Sequence, residues 1–398
     1  MAKTYKTPGV YVEEVPGLPP SVAQVPTAIP VFIGYTEKAG GNAAELLASA
    51  MINDILVSEA KLISSLLEYE SYFGKAAVVS TDIQNMQLHL QLFFANGGGP
   101  CYIISVGNTT GTPEKNNLLA GLEMAARYDQ PSLLVIPQTV QLNTAAAAYE
   151  VYNVALLQAA ERKDRFVLID CYGDDPQTLR GAEGIGDAHL KYGAAYHPFL
   201  KTTLNAAILP PSAAIAGIYA TTDQNRGVWK APANISLNLV TAPTQQITSE
   251  MQDNLNIDEV AGKSVNVIRM FTGKGVLVWG ARTLAGNDNE WRYIPVSRLF
   301  IMVEQSCKKG MERFIFEPNT ANTWIKIRTM LENYLSSLWR QGALQGGKAG
   351  HAFYVSIGLG HTMTALDILE GRLIVEIGMA AIRPAEFVIL KLNLRLNS

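Results

Sequence analysis

From about Ala28 to Val240 the chain alternates between two hydrophobic periods. AIPVFIGY (28–35), CYIISVG (101–107), SLLVIP (132–137) and RFVLIDC (165–171) are short, almost unbroken apolar runs, the pattern of strands covered on both faces. Between them, apolar residues recur three and four positions apart. Ile83, Met86, Leu90 and Phe93 form one helical stripe behind a Thr81-Asp82 cap and ahead of the breaker NGGGP (96–100). LLAGLEMAARY (118–128) and AAAAYEVYNVALLQAAERK (145–163) predict two more helices. Apolar strands alternating with amphipathic helices imply a mostly parallel sheet with helices on both faces. The stretch 41–74 fits neither period cleanly and is read as partly helical.

After this region the pattern changes. IRMFTGKGVLVWGARTL (268–284) contains a strand, and Trp324 to Arg340 is a helix with Trp324, Ile327, Leu331, Leu335 and Leu338 on one stripe, ending near the glycines of QGALQGG (341–347). RLIVEIGMA (372–380) reads as a strand. Beyond Pro384 the tail alternates strictly, with Leu390, Leu392, Leu394 and Leu396 on one face and Lys391, Asn393 and Arg395 on the other. At the other end, six of the 19 prolines fall in the first 30 residues and exclude a helix there. Between Pro8 and Pro16, GVYVEEV predicts a short strand with Val10 and Val12 on one side and Tyr11 and Glu13 on the other. A lone strand has unmet backbone donors and acceptors, so it must add to a sheet edge in its own chain or in a neighbour.

Composition narrows the functional classes. A chain of 398 residues implies two or three lobes. A net charge of -3 gives no overall basic field, so nucleic acid is not an expected partner. No apolar run approaches the roughly 18 residues that span a bilayer, and the start MAKTY lacks the apolar stretch of a signal peptide. The chain is therefore expected to be made and folded in the cytoplasm. Cys101, Cys171 and Cys307 are an odd number, widely spaced, and read as buried reduced thiols.

Motifs for small-molecule chemistry fail on context. GGGP (97–100) follows a helix and precedes a strand, whereas a phosphate loop follows a strand and opens a helix. Gly262-Lys263-Ser264 resembles the end of a P-loop, but Ile257 stands where its first glycine belongs. Gly184-Ile185-Gly186 is followed by His189 in place of the third glycine of a dinucleotide fingerprint. The five histidines show no metal-ligand spacing, and there is no nucleophile elbow. Asp170 ends a strand where α/β hydrolases place an acid, yet no serine in a nucleophile setting accompanies it. No cofactor, metal or catalytic residue is expected. An α/β hydrolase or nucleotide-binding enzyme would need a site that the sequence hides.

Longer blocks carry more information. TPGVYVEEVPG (7–17), ANGGGPCYIISVG (95–107) and PPSAAIAGIYATTDQNRGVWKAPAN (210–234) resemble the sheath proteins of contractile phage tails and related injection machines. IRMFTGKGVLVWGARTL, EWRYIPVSRLFIMVEQS (290–306), FEPNTANTWIKIRTMLENYLSSLWRQGAL (316–344) and EGRLIVEIGMAAIRPAEFVILKL (370–392) follow in that family's order. GLGHTMTALDILEGR (358–372) is similar to the version in extracellular contractile injection systems. AGKSVNVIR (261–269) departs from the glycine-isoleucine-asparagine run that many sheaths carry there.

The resemblance implies an α/β (α+β) fold: a sheath core domain built from N- and C-terminal segments, with a middle domain of subtilisin-like topology. It implies a donated strand arm and linker at 1–27, a middle region at 28–245, a core domain at 246–389 and a donated strand at 390–398. The inter-subunit strands would be Val10 to Glu13 and Leu390, Leu392, Leu394 and Leu396, and Pro16, Gly17, Pro19 and Pro20 would form the arm linker. Implied partners are further copies of the chain or paralogous sheath subunits in six-fold helical rings, an inner tube protein, and baseplate and terminal cap proteins, without direct membrane insertion. The particle would assemble in the bacterial cytoplasm and be released on lysis. A true phage tail remains the alternative within this class.

Overall fold

The structure, a computed structural model, describes residues 21–38, 49–75 and 82–386. These divide into two compact units, one of residues 24–306 with 381–386, the other of 21–23 with Cys307–Ala380. The larger unit begins with β1 (Pro30–Thr36), β2 (Ser49–Ile52), β3 (Ile55–Ser58), β4 (Lys61–Ile63), α1 (Leu66–Phe73), α2 (Met86–Ala95), β5 (Cys101–Asn108) and α3 (Lys115–Ala125). It continues through β6 (Leu133–Val135), α4 (Ala145–Arg162), β7 (Phe166–Asp170), α5 (Pro176–Arg180), β8 (Gly193–His197), β9 (Leu200–Thr202), β10 (Ile208–Leu209) and α6 (Ser212–Arg226). Then come β11 (Ile235–Ser236), β12 (Val240–Pro243), α7 (Ser249–Asn256), β13 (Val265–Phe271), β14 (Gly275–Trp279) and most of α8 (Ile294–Met311). The smaller unit holds α9 (Ala321–Arg340), α10 (Ala349–Ala352), β15 (Phe353–Ile357), α11 (Ala365–Leu369) and β16 (Val375–Met379).

Nine strands pair in the order β11-β14-β13-β8-β7-β6-β1-β5-β4. The stretch from β13 to β5 is parallel, β14 and β4 flank it antiparallel, and β11 pairs antiparallel with β14. The apolar runs are continuous because alternate residues feed two separate cores. Val31, Ile33, Leu134, Val167 and Ile169 pack on the face covered by α3 and α4, while Phe32, Leu133, Val135, Phe166 and Leu168 pack on the face covered by α2 and α6. The expected mixed α/β fold with a doubly covered parallel sheet is what forms. Both outer strands are very short, which limits open edge in this sheet.

Helix α4 lies within a residue of the expected span because both ends are encoded locally. Thr144 accepts a hydrogen bond from the Ala147 amide at 3.2 Å, and Lys163 closes the helix in the left-handed region. The glycines of NGGGP terminate α2: Gly97 has φ +89°, and the Gly98 amide donates to the Phe93 carbonyl at 2.9 Å. α6 then approaches α2 closely, since a Cβ on Gly217 would stand 2.5 Å from the Phe93 carbonyl oxygen.

Two expectations are corrected. The described part of 41–74 is helical only at α1, and ahead of it β2 and β3 form a hairpin in the register Ile52 to Ile55. Asn53 and Asp54 both take positive φ, 49° and 64°, the two-residue turn whose twist matches paired strands. The cap of α2 is Asn85, whose Oδ1 accepts from the Gln87 amide at 3.0 Å, and Ile83 belongs to a separate 3₁₀ turn. Asparagine next to the first helical turn satisfies an orphan amide that a cap three residues earlier cannot reach.

Candidate assembly site

Strand order reverses between β1 and β6, and in open parallel sheets that crevice commonly holds a ligand. Here it is filled by the fully buried side chain of Gln138. Its Oε1 accepts from the Tyr35 amide at 2.6 Å, and its Nε2 donates to the carbonyls of Tyr35 and Gln84 at 3.1 and 2.9 Å.

The residues that sequence inspection considered for chemistry have structural partners. Lys263 is buried, donating to the Ile185 carbonyl and pairing with Asp187 at 2.9 Å, and the Ser264 hydroxyl donates to the Asn256 carbonyl. The cysteines are free and buried, and burial pushes each thiol up, Cys307 to about 12. Asp170 does have a serine that the sequence did not reveal. Its carboxylate accepts from the amide and hydroxyl of Ser212 at 2.9 and 2.5 Å, and both side chains are fully buried. Ser212 opens α6, so the pair pins the end of β7 to the start of that helix. Burial raises the Asp170 carboxyl to about 7 against the pull of the Ser212 hydrogen bonds. His197 follows Tyr196, the residue paired with Asp170 across β7 and β8, and its Nδ1 lies 3.1 Å from Asp174.

The smaller unit is built differently. α9 buries Ile327, Met330, Leu331, Tyr334, Leu335 and Leu338, close to the expected stripe, while Trp324 is half-buried and donates to Asn319 Oδ1 at 2.6 Å. The antiparallel pair of β15 and β16 is fixed by cross-strand contacts. Tyr354 stands opposite Gly378, where any Cβ would meet its ring at 2.0 Å, and its hydroxyl donates to Glu376 at 2.6 Å. The ring thus covers the bare backbone of its partner strand.

Among the described residues β15 and β16 pair only with each other, so each presents one unpaired edge. Exposed apolar side chains accompany them: Tyr354, Leu359, Leu366 and Leu369. Phe316 is fully exposed and held at φ +70°, a costly backbone state for a bulky residue. Open strand edges and an apolar surface are features that lone proteins suppress and that associating subunits use. No helix among the described residues is long and apolar enough to cross a membrane.

Val10, Tyr11, Val12 and Glu13, the linker residues Pro16, Gly17, Pro19 and Pro20, and Leu390, Leu392, Leu394 and Leu396 all lie outside the described residues.

Unpaired strand edges and exposed apolar side chains together suit a protein that associates with others. The phage tail sheath protein central domain matches residues 111–284 and the phage tail sheath C-terminal domain matches 286–395. A cryo-EM structure of the anti-feeding prophage helical sheath in its contracted state is 37% identical over 98% of this chain and 99% of that one, with a TM-score of 0.75. The sheath complex of the extracellular contractile injection system PVC, also contracted, is 33% identical over 98% of each chain, with a TM-score of 0.74. A putative prophage major tail sheath protein of Pseudomonas aeruginosa (strain UCBPP-PA14) is 25% identical over 60% of this chain and 60% of its own length. The tail sheath protein of Salmonella phage ViI is 24% identical over 35% of this chain and 22% of its own length. The chain therefore spans less than two thirds of either of these two relatives. It belongs to the phage tail sheath protein family and is a sheath structural subunit.

Proposed function

We propose that this chain forms the contractile sheath of a phage-tail-like injection particle. Copies stack as six-fold helical rings around an inner tube, between a baseplate and a terminal cap, and contraction drives the tube through a target envelope. The assembly takes place in the bacterial cytoplasm. Support for an injection particle over a phage tail comes from the greater coverage and identity of the anti-feeding prophage and PVC matches.

The observation that carries the mechanism is the pair β15–β16, each strand of which has one edge unpaired among the described residues. The strands around Val10–Glu13 and Leu390–Leu396, donated by neighbouring copies, add to these edges as main-chain ladders. Such contacts are heterologous and propagate into open helices. Segment 1–27 then serves as arm and linker, 28–245 as the middle region, 246–389 as the core domain and 390–398 as the second donated strand. Subunits reorient without parting because the strands stay paired while Pro16, Gly17, Pro19 and Pro20 act as the linker.

Electron microscopy of the chain expressed with its tube and baseplate partners tests this reading. Hollow helical cylinders are expected, and scattering that shows only a small closed oligomer under all such conditions overturns it. Deleting residues 1–20, or the tail from Leu390, leaves a folded subunit that forms no cylinders. Normal cylinders from either truncation exclude strand donation by that arm. Replacing Val10 and Val12 by Asp weakens assembly less completely, since the backbone ladder survives while the carboxylates resist burial.

A further inference from the structure

The chain enters the larger unit at Gln24 and returns to it at Ala381. Each entry is fastened by a buried arginine. Arg298 on α8 forks onto Asp223 of α6, with Nη1 and Nη2 at 2.9 and 2.6 Å from the two carboxylate oxygens, and its Nη2 also donates to the Thr27 carbonyl at 2.7 Å. The Thr27 hydroxyl donates to the same carboxylate at 2.5 Å, and the Val25 amide donates to the Ser306 hydroxyl at 3.0 Å. A void of only about 20 Å³ remains beside this root, the room of one water.

The second root has the same chemistry. Arg282 donates through Nε and Nη2 to the two oxygens of Glu386 at 2.8 and 2.6 Å, and Asn256 adds a third hydrogen bond at 2.9 Å. Burial pushes the Glu386 carboxyl up, but the hydrogen bonds from Arg282 and Asn256 outweigh it and hold the group below the usual carboxylate range. The backbone of Arg282 is gripped in both directions by Asn266 of β13, whose amide donates to the Arg282 carbonyl at 2.7 Å and accepts from its N–H at 2.8 Å. Asn266 also donates to the Ala195 carbonyl on β8. An unbroken chain of hydrogen bonds thus runs from Glu386 into the middle of the nine-stranded sheet.

We propose that Arg298 and Arg282 are the anchors of the two terminal arms, carrying pull on an arm into the sheet-bearing unit. The proposal rests on the strand-donation reading above. Both guanidiniums are almost fully buried, so letting go leaves an uncompensated charge inside the protein, which keeps each fork closed under load. Lysine cannot replace either, because an ammonium makes no planar two-point fork. The 12 residues beyond Glu386 reach about 40 Å when extended, so slack at the root would add directly to the slack of the arm.

The test uses Arg282→Lys and Arg298→Lys in the full chain, with Glu386→Asp and Thr27→Val as milder variants that leave both arginines in place. Hydrogen exchange on the unassembled subunit is expected to speed up by about tenfold or more at 25–29 for Arg298→Lys and at 381–386 for Arg282→Lys, while β6 and β7 keep the parental rate. In particles assembled with tube and baseplate, the variants form extended cylinders, but a smaller fraction contracts after a urea trigger that contracts the parent. Parental exchange at the roots, or parental contraction despite faster exchange, overturns the anchor role. Failure of the parent itself to form cylinders overturns the sheath reading instead, and the exchange result then still judges whether the forks hold the roots.

Discussion

Two buried titratable groups in the larger unit work against each other, and removing either one should expose the other. His89 is fully buried and donates from Nε2 to the Ile83 carbonyl at 2.8 Å, so it is held neutral, and burial lowers its pKa from 6.5 to about 4. Asp170 is raised by burial from 3.8 to about 7. A depressed histidine stabilises the fold above pH 6.5, and that contribution is lost as pH falls through 4. A raised carboxyl stabilises below pH 3.8, and its contribution is lost as pH rises through 7. Between pH 4 and 6.5 each changes stability by about 1.4 kcal/mol per pH unit, with opposite signs, so the pair nearly cancels in the parent. In His89→Gln the Asp170 slope stands alone: relative to the parent, stability falls by about 3 kcal/mol across that window. In Asp170→Asn it rises by a similar amount, and in the double variant both departures vanish. Urea unfolding of the dilute, unassembled subunit at half-unit pH steps measures this. Because each variant is compared with the parent at every pH, the fixed cost of a substitution and the background of other groups drop out. Parallel profiles for parent and both single variants, or slopes of the reverse sign, would refute the reasoning.

Inserting two to four flexible residues after Gly17 lengthens the arm by about 3.3 to 3.6 Å per residue. Extended sheaths should still assemble yet fail to contract when triggered, as counted by electron microscopy, and insertions that fire like the parent remove the linker from the coupling. Leu331→Ala in α9 deletes a fully buried side chain and should cost about 2–5 kcal/mol in urea unfolding, so a loss under about 1 kcal/mol contradicts the packing described for the smaller unit. Gly217→Ala places a methyl against the Phe93 carbonyl, and the clash of about 1–3 kcal/mol should outweigh the helix-propensity gain of about 1 kcal/mol. A melting temperature equal to or above the parent's would show that α6 can withdraw from α2 at little cost.

Much of this protein is written locally. The apolar runs at 28–35, 101–107, 132–137 and 165–171 announced strands buried on both faces, because such strands have no polar side to interrupt the run. α4 was legible almost to the residue and α9 at its C-terminal end, its start lying three residues before the expected Trp324, since a stripe at helical spacing and a nearby cap or glycine need no knowledge of the rest of the chain. The block order that places the chain in the sheath family was likewise present in the sequence alone. Local signals mislead where they compete: Asn53-Asp54 lacks the glycine that marks a tight hairpin, and Asp82 is as good a capping residue as Asn85, which stands three positions nearer the helix.

Other features depend on partners distant in sequence, and only the tertiary structure decided them. Asp170 and Ser212 are 42 positions apart, Arg298 and Asp223 are 75 apart, and Arg282 and Glu386 are 104 apart. Neither member of such a pair carries a mark of the other, because a hydrogen bond between side chains depends on where the sheet and helices place them and not on spacing along the chain. The same holds for Gln138, an ordinary polar residue until the strand reversal puts it in the crevice between β1 and β6. Periodicity tells a residue which way to face. Which neighbour it meets there is fixed by strand order, and strand order is settled by the burial of all the elements together.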